Sequence, residues 1–405
     1  MIRFFRVAGV AGAVLALFAC SDPDPGSGVL ARDVTFDTIN GVVHLQNGGE
    51  GAWPEGEQWT AEIEWRVGEL DGGWGRTFGG GPHNVRIGPD GRIYYIALGD
   101  RSVRVFDAEG VFVQSIGGRT AGQGPGELNS PMSLAWDSAG RLWVPDFSND
   151  RYSIFDAEGE LVDDFRRPIA GAPNLFQIGH VDADGHFVDE APVSRTRDED
   201  RAGIAFVRIS ANGAVVDTLP PIYRPAYVTA DIANLPFGVI PPGALQDLRF
   251  FRPRLLYDIG PDDTVWFTKG DRVRLIQRTL AGDTLRIVEA DHRAAGLTPE
   301  DEGLIEEVFR GVDVDRSQFK LARQIVQGLH VMDDGHVLVQ IEEEPGVDSS
   351  IFDIFDPDGR FLGTVDFTVP VRYRSRGGSR GDTLVMPTES PEGVPQLVRL
   401  VLARD

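Results

Sequence analysis

Apolar and polar residues alternate along most of this chain in short runs, and tight Asp/Gly turns punctuate the runs. Two stretches repeat the pattern almost word for word. Gly88-Pro-Asp-Gly-Arg-Ile-Tyr-Tyr95 leads to Val103-Arg-Val-Phe-Asp-Ala-Glu-Gly110, and Asp137-Ser-Ala-Gly-Arg-Leu-Trp-Val144 leads to Tyr152-Ser-Ile-Phe-Asp-Ala-Glu-Gly159. Gly91 to Gly110 is 19 residues, and Gly140 to Gly159 is again 19. Repetition in register marks a repeat architecture. Each unit reads as an alternating β run, an Asp/Gly turn, a second run rich in Val, Ile, Tyr and Trp, a loop, a third run ending in Phe-Asp, another Asp/Gly turn and a fourth run. The aspartate folds its carboxylate back onto local N–H groups, and the glycine supplies the positive φ that the turn needs. Four strands joined this way predict one antiparallel sheet.

The first unit spans about Asn84 to Ile116 and the second about Ser133 to Phe165. Asp182-Ala-Asp-Gly185 and Ile209-Ser-Ala-Asn-Gly213 mark a third, 28 residues between the two glycines. Gly260-Pro-Asp-Asp263 and Thr279-Leu-Ala-Gly282 mark a fourth, at 19, and Asp333-Asp-Gly335 and Phe355-Asp-Pro-Asp-Gly359 a fifth, at 24. The C-terminal remainder holds three strand-like runs, Val369–Arg374, Thr383–Met386 and Gln396–Leu402. Trp59-Thr-Ala-Glu-Ile-Glu-Trp-Arg-Val67 is an orphan run of the right kind to complete this sixth sheet and close a ring, which leaves no open sheet edge. Gln58 to Asp405 is 348 residues, 58 per sheet, more than the roughly 40–50 of common propeller repeats. Two insertions account for the surplus. Residues 220–252 are rich in proline and aromatics. Residues 292–324 contain Thr298-Pro299-Glu300-Asp301, which reads as an N-cap, a proline at the first helical position and acids in the first turn, before Leu304, Ile305, Val308 and Phe309 at helical spacing. Within residues 33–57, Val34-Thr-Phe-Asp37 and Val42-Val-His-Leu45 fit short strands packed outside the ring.

The first twenty residues stand apart. Arg3 and Arg6 precede an apolar run, Val7–Phe18, of signal-peptide length and too short to cross a membrane. Cys20 is the only cysteine, so an internal disulfide is excluded and the core must come from apolar burial. Residues 21–28 read as a flexible tether. The formal charge is −23, which argues against nucleic acid or an anionic membrane surface as a partner. Arginine carries nearly all the positive charge, since Lys269 and Lys320 are the only lysines.

On these residues two resemblances rest. Leu17-Phe18-Ala19-Cys20 resembles the lipobox of bacterial lipoproteins, with Cys20 the lipidated residue; Phe18 departs from the usual pattern, and an ordinary cleaved signal is the alternative. Ser21, in place of aspartate, favours an outer-membrane address. Val144-Pro-Asp-Phe-Ser-Asn-Asp-Arg-Tyr-Ser-Ile-Phe-Asp156 and Ala97-Leu-Gly-Asp-Arg-Ser-Val-Arg-Val-Phe-Asp107, with Gly124-Pro-Gly-Glu-Leu-Asn-Ser-Pro131 leading in, resemble the NHL repeat. The resemblance implies an all-β, six-bladed β-propeller of four-stranded blades around a central channel, like bacterial propeller lipoproteins of largely unassigned function. It does not imply one reaction.

Candidate chemistry is sparse. No hydrolase elbow, phosphate loop or cysteine zinc motif is present. Asp182-Ala-Asp-Gly185 lacks the bidentate glutamate of a calcium loop and matches the turn at Gly91. Five residues before each turn glycine stand Arg86, Ala135, His180 and His330, with Asp258 at the aligned place in the fourth unit. In a propeller the first strand of each blade lines the channel, so His180, Asp258 and His330 would converge there. Two imidazoles and a carboxylate suit a divalent metal with a position open to water; half-buried, hydrogen-bonded histidines are the plainer reading. His186 and His336 fall at solvent-facing turn positions. Tyr223, Arg224, Tyr227, Phe237 and Arg252 on the first insertion offer a ligand or partner surface, or else pin that insertion to the ring.

The resulting expectation is a monomeric, lipid-anchored, extracytoplasmic propeller, a non-catalytic binding or scaffold module for a protein, peptide or glycan on its loop face. A metal-dependent lactonase- or lyase-like enzyme using the channel residues is the first alternative, and a structural envelope protein the second.

Overall fold

The computed structural model describes residues 34–49, 51–54, 56–69, 82–118, 122–169, 178–193, 203–224, 251, 254–291, 293, 296–310, 321–344, 347–372 and 376–404. Six antiparallel sheets follow one another around a ring. Blade 1 comprises Pro82–Ile87, Ile93–Ala97, Ser102–Phe106 and Phe112–Ile116; blade 2, Ala135–Trp136, Leu142–Asp146, Arg151–Phe155 and Leu161–Arg166. Blade 3 comprises His180–Val181, Phe187–Val193, Gly203–Ile209 and Val215–Thr218; blade 4, Leu256–Ile259, Thr264–Thr268, Arg274–Thr279 and Thr284–Ala290; blade 5, Val326–Val331, Val337–Ile341, Ile351–Phe355 and Phe361–Asp366. Blade 6 takes Gly378–Arg380, Thr383–Glu389 and Pro395–Ala403 from the C-terminal end, and its fourth strand, Thr60–Val67, comes from the N-terminal side. Leu397 pairs with Val67 and Ala403 with Thr60.

The repeated phrases form the turns that their residues dictate. The Asp107 carboxylate accepts the Glu109 and Val111 N–H groups at 3.1 and 2.8 Å, and Asp156 accepts those of Glu158 and Glu160 at 3.1 and 2.8 Å. Gly110 and Gly159 sit at φ +79° and +86°, where a Cβ would strain the backbone. In blades 1 to 5 the third strand slips by one residue against the fourth just ahead of this turn, at Val105/Phe106, Ile154/Phe155, Arg208/Ile209, Gln277/Arg278 and Ile354/Phe355. A repeated bulge at this place increases the local twist of each blade.

Apolar burial is organised between blades. Each of the six hydrophobic clusters joins one neighbouring pair of blades around the ring. Trp143 of blade 2 stacks on Phe187 of blade 3, with centroids 5.7 Å apart and planes 7° off parallel. The second and third strands are therefore covered on both faces, and Ile93–Ala97 and Leu142–Asp146 are buried along their whole length.

Two additions decorate the ring. Val34–Ile39 and Val42–Asn47 form a hairpin that extends the sheet of blade 4, with Val42–Asn47 parallel to Thr284–Ala290. The buried Asn47 amide fixes it by donating to Gly359 O at 3.0 Å and accepting the Phe361 N–H at 2.9 Å, both in blade 5. The helix Pro299–Val308 starts at Thr298, whose hydroxyl accepts the Asp301 N–H at 3.1 Å while Asp301 accepts the Thr298 N–H at 2.8 Å. Ile305 is buried, whereas Leu304 points to solvent. Thr298→Ala is expected to cost about 1 kcal/mol, read as a lower urea midpoint with an unchanged slope. Among the described residues no helix is long and apolar enough to cross a membrane.

Candidate functional site

The first strands of the blades meet at the ring axis, and their registers are equivalent. Arg86 lies opposite Tyr94, Ala135 opposite Trp143, His180 opposite Val188, Asp258 opposite Trp266 and His330 opposite Leu338. The positional reading of the sequence thus places five residues at one level of five blades. What these side chains touch differs from the metal expectation.

Asp258 and His330 do come together. Asp258 is nearly buried; its Oδ2 accepts the Val331 N–H at 2.9 Å and lies 3.4 Å from His330 Nδ1. Its Oδ1 lies 3.7 Å from Arg376 Nη1. Burial pushes the Asp258 carboxyl up, but His330, Arg376 and Arg86 outweigh it and hold the group at about 2. His180 goes elsewhere. Its Nε2 lies 2.6 Å from Oδ1 of Asp263, in the turn between the first two strands of blade 4, and Oδ2 of Asp263 accepts the Ala183 N–H at 2.9 Å. The donor atoms of His180, Asp258 and His330 do not fall within 4.8 Å of one another. The three-ligand metal expectation is corrected on this geometry: His180 latches blade 3 to blade 4, and two guanidiniums occupy the positive role beside Asp258.

Those guanidiniums were not anticipated as site groups. Arg376, in the lead-in to blade 6, donates from Nη1 to Tyr257 O at 2.9 Å and lies 5.2 Å from the Tyr257 ring centroid. Arg86 donates from Nη1 to Val85 O at 3.1 Å and to Gly377 O at 3.0 Å. Burial, with Arg376 acting in the same direction and Asp258 opposing, lowers the Arg86 pKa. Both arginines keep part of their surface open to solvent. A fifth group, Glu190, reaches the cluster from the second strand of blade 3. It is 2% exposed, and its Oε1 accepts the Ile178 N–H at 2.7 Å. Burial pushes its carboxyl up to about 7, against the pull of the Tyr257 hydroxyl and Arg376. Its neighbour Asp189 faces the other side of the strand, where it meets Arg167 Nε at 2.9 Å and the Tyr152 hydroxyl. The clue was an acidic pair inside the otherwise apolar run Phe187–Ala191. His330 Nε2 is buried with no hydrogen-bond partner.

A second acidic group, Asp182, Asp184 and His186, places three donor atoms within 4.8 Å. Arg208 already supplies its counter-charge, at 3.5 Å from Asp182 and 3.8 Å from Asp184. Asp182 Oδ1 accepts the His186 N–H at 2.8 Å, so the segment is the turn that its sequence predicts. His336 departs from its expected open position: it packs on Trp59 with centroids 4.8 Å apart and lies 3.0 Å from Asp334. On the first insertion, Ile222–Tyr223 adds a short strand against Gly203 and Ile204 of blade 3, and Arg224 beside it is exposed. Tyr227, Phe237 and Arg252 lie outside the described residues, as does Cys20.

No protein-family model matches the sequence, and no curated protein matches it either. Solved structures do. A protein of Bacteroides fragilis NCTC 9343 assigned as exported aligns over 89% of this chain and 99% of its own, at 10% identity and a TM-score of 0.52. A member of the DUF4221 family from Bacteroides vulgatus ATCC 8482 aligns over 86% and 99%, at 11% identity and a TM-score of 0.52. A gluconolactonase of Xanthomonas campestris aligns over 80% and 86%, at 16% identity and a TM-score of 0.40, too distant to bear on the site. With the repeated phrases folded as blade turns, the chain is a six-bladed β-propeller, similar in fold to the two Bacteroides proteins.

Proposed function

We propose that the protein is an extracytoplasmic binding module whose ligand sits in the central channel, against Arg86, Asp258, His330 and Arg376. One observation carries this reading: charged and polar groups from blades 1, 3, 4 and 5 and from the lead-in to blade 6 converge at the axis, while the arginines among them keep solvent-open surface. Buried charge is costly unless paired, and the buried His330 Nε2 has no partner, so the cluster is built for more than packing. The two guanidiniums beside Asp258 oppose a divalent cation by charge, which makes binding without metal the better account. The signal-like segment 1–20 and the likeness to a Bacteroides protein assigned as exported support an extracytoplasmic setting, with Cys20 as lipid anchor.

A thermal-shift screen of small acids, sugars and short peptides tests the assignment. A ligand raising the melting temperature is expected to lose at least tenfold in affinity in Arg376→Gln and in Arg86→Gln, and to keep its affinity in Arg224→Ala. Binding that ignores both channel arginines and falls with Arg224→Ala would move the site to the 220–252 insertion and overturn the reading.

A further inference from the structure

We propose that the channel site takes up a carboxylate ligand together with one proton, the carboxylate docking on Arg86 and Arg376 and the proton going to Glu190. The inference rests on the channel-binding reading and names the ligand class for it.

The argument begins with charge. Arg86 and Arg376 bring two positive charges to the axis, and Asp258 and ionised Glu190 bring two negative ones. A ligand carboxylate on the guanidiniums adds a third negative charge to a group of residues deep in the ring, inside a molecule of formal charge −23. Unbalanced charge in such a place is strongly disfavoured. Balance returns when one carboxylate takes a proton, so that Glu190 COO⁻ plus H⁺ becomes Glu190 COOH while the ligand remains ionised. The net charge of the site is then the same before and after binding, and no bond to the ligand forms or breaks.

Geometry selects Glu190 as the acceptor. Asp258 is fixed in its ionised form by the Val331 N–H, His330 Nδ1 and Arg376. Asp189, the neighbour of Glu190, looks away from the channel toward blade 2, where it meets Arg167 and the Tyr152 hydroxyl; burial outweighs these partners and pushes its carboxyl up, but no ligand on the channel arginines reaches that side of the strand. Glu190 has the Ile178 N–H on Oε1, while its Oε2 is buried with no hydrogen-bond partner among the described residues and is free to carry a proton; the Tyr257 hydroxyl and the Arg376 charge act on it from blade 4 and the lead-in to blade 6. Arg376 is therefore shared. A ligand carboxylate that draws on it weakens its hold on ionised Glu190 and raises the proton affinity there. By linkage, protonation of Glu190 strengthens ligand binding by the same factor. Since burial already sets the Glu190 carboxyl at about 7, the exchange falls in the neutral range. Arginine suits the task, because its planar fork matches a carboxylate and stays charged throughout.

Calorimetric titration of the full chain with D-glucuronate and with succinate, using D-glucose as the uncharged control, decides the matter. Runs at pH 6, 7 and 8 in buffers of different ionisation heat count the protons taken up. Expected is carboxylate binding with little uptake at pH 6 and close to one proton at pH 8, with affinity falling up to tenfold per pH unit above about 7. In Glu190→Gln the uptake and the pH dependence between 6 and 8 should vanish while binding persists. Should that variant fold poorly, the infrared carbonyl band of a protonated carboxyl, appearing in the wild type on addition of ligand at pH 8, reads the same event. Carboxylate binding without proton uptake overturns the proposal, as does uptake that survives Glu190→Gln, which would point to His330. Failure of both carboxylates to bind overturns it as well; if D-glucose then binds in an Arg376-dependent way, the channel reading stands and only the carboxylate–proton coupling falls.

Discussion

Arg167→Met is expected to destabilise the protein by about 3–5 kcal/mol, enough to remove a large part of the stability of an ordinary domain. Arg167 is 2% exposed and its partner Asp189 is fully buried. The guanidinium meets Asp189 at 2.9 Å and also reaches Ile169 O at 3.3 Å and Glu190 O at 3.4 Å. Methionine fills a similar volume but leaves the carboxylate with only the Tyr152 hydroxyl and the Glu190 N–H, and burial, which already pushes the Asp189 carboxyl up, loses its main opposing charge. The adjacent Arg166 gives the contrast. It pairs with Asp150 at 3.0 Å, but both side chains are exposed, so Arg166→Met should change stability by about 0–1 kcal/mol. Urea unfolding of the two single variants and of Arg167→Met with Asp189→Leu separates the terms. The double replacement removes the orphaned charge and should recover part of the loss. A cost below about 1 kcal/mol for Arg167→Met would show that Asp189 is neutral in the folded protein.

Deleting the strand Thr60–Val67 is expected to have the larger effect. The segment supplies the fourth strand of blade 6 and pairs along Pro395–Ala403. Val67 enters the cluster between blades 6 and 1, Ile63 packs in that between blades 5 and 6, and the Trp65 indole donates to Ala108 O of blade 1 at 2.9 Å. Burying Val67 contributes about 1.5–3 kcal/mol, and the half-buried Ile63 and Trp65 add smaller shares, so the three together make up a large part of the stability of a typical domain. Deletion also opens Pro395–Ala403 as an apolar edge. The neighbouring closure fails with it: Arg404 sits 4.3 Å from the Trp59 ring centroid and pairs with Asp382 at 2.7 Å. The expected outcome is a chain that aggregates or loses cooperative melting, with near-UV circular dichroism lost before the far-UV β signal. A shortened chain that still melts in one transition within a few degrees of the full protein would show that the ring holds without this strand.

The amino-acid sequence by itself determined the blades. Asp107, Gly110, Asp156 and Gly159 encode their turns through local hydrogen bonds and a positive φ, so their meaning does not depend on distant residues. The same locality made Thr298 legible as an N-cap, and the period of the repeats placed Arg86, His180, Asp258 and His330 at one level of the ring. The sequence could not say which of these would meet. His180 found Asp263 across the next blade's turn, and Asp258 found Arg376, more than a hundred residues along the chain. Asn47 and Glu190 gained their partners in the same way, from another blade or from the loop ahead of their own. Tertiary structure alone decided these contacts, because the direction of a side chain at the axis is set by the twist and stacking of neighbouring sheets and by the need to match each buried charge with whatever opposite charge the closed ring brings near.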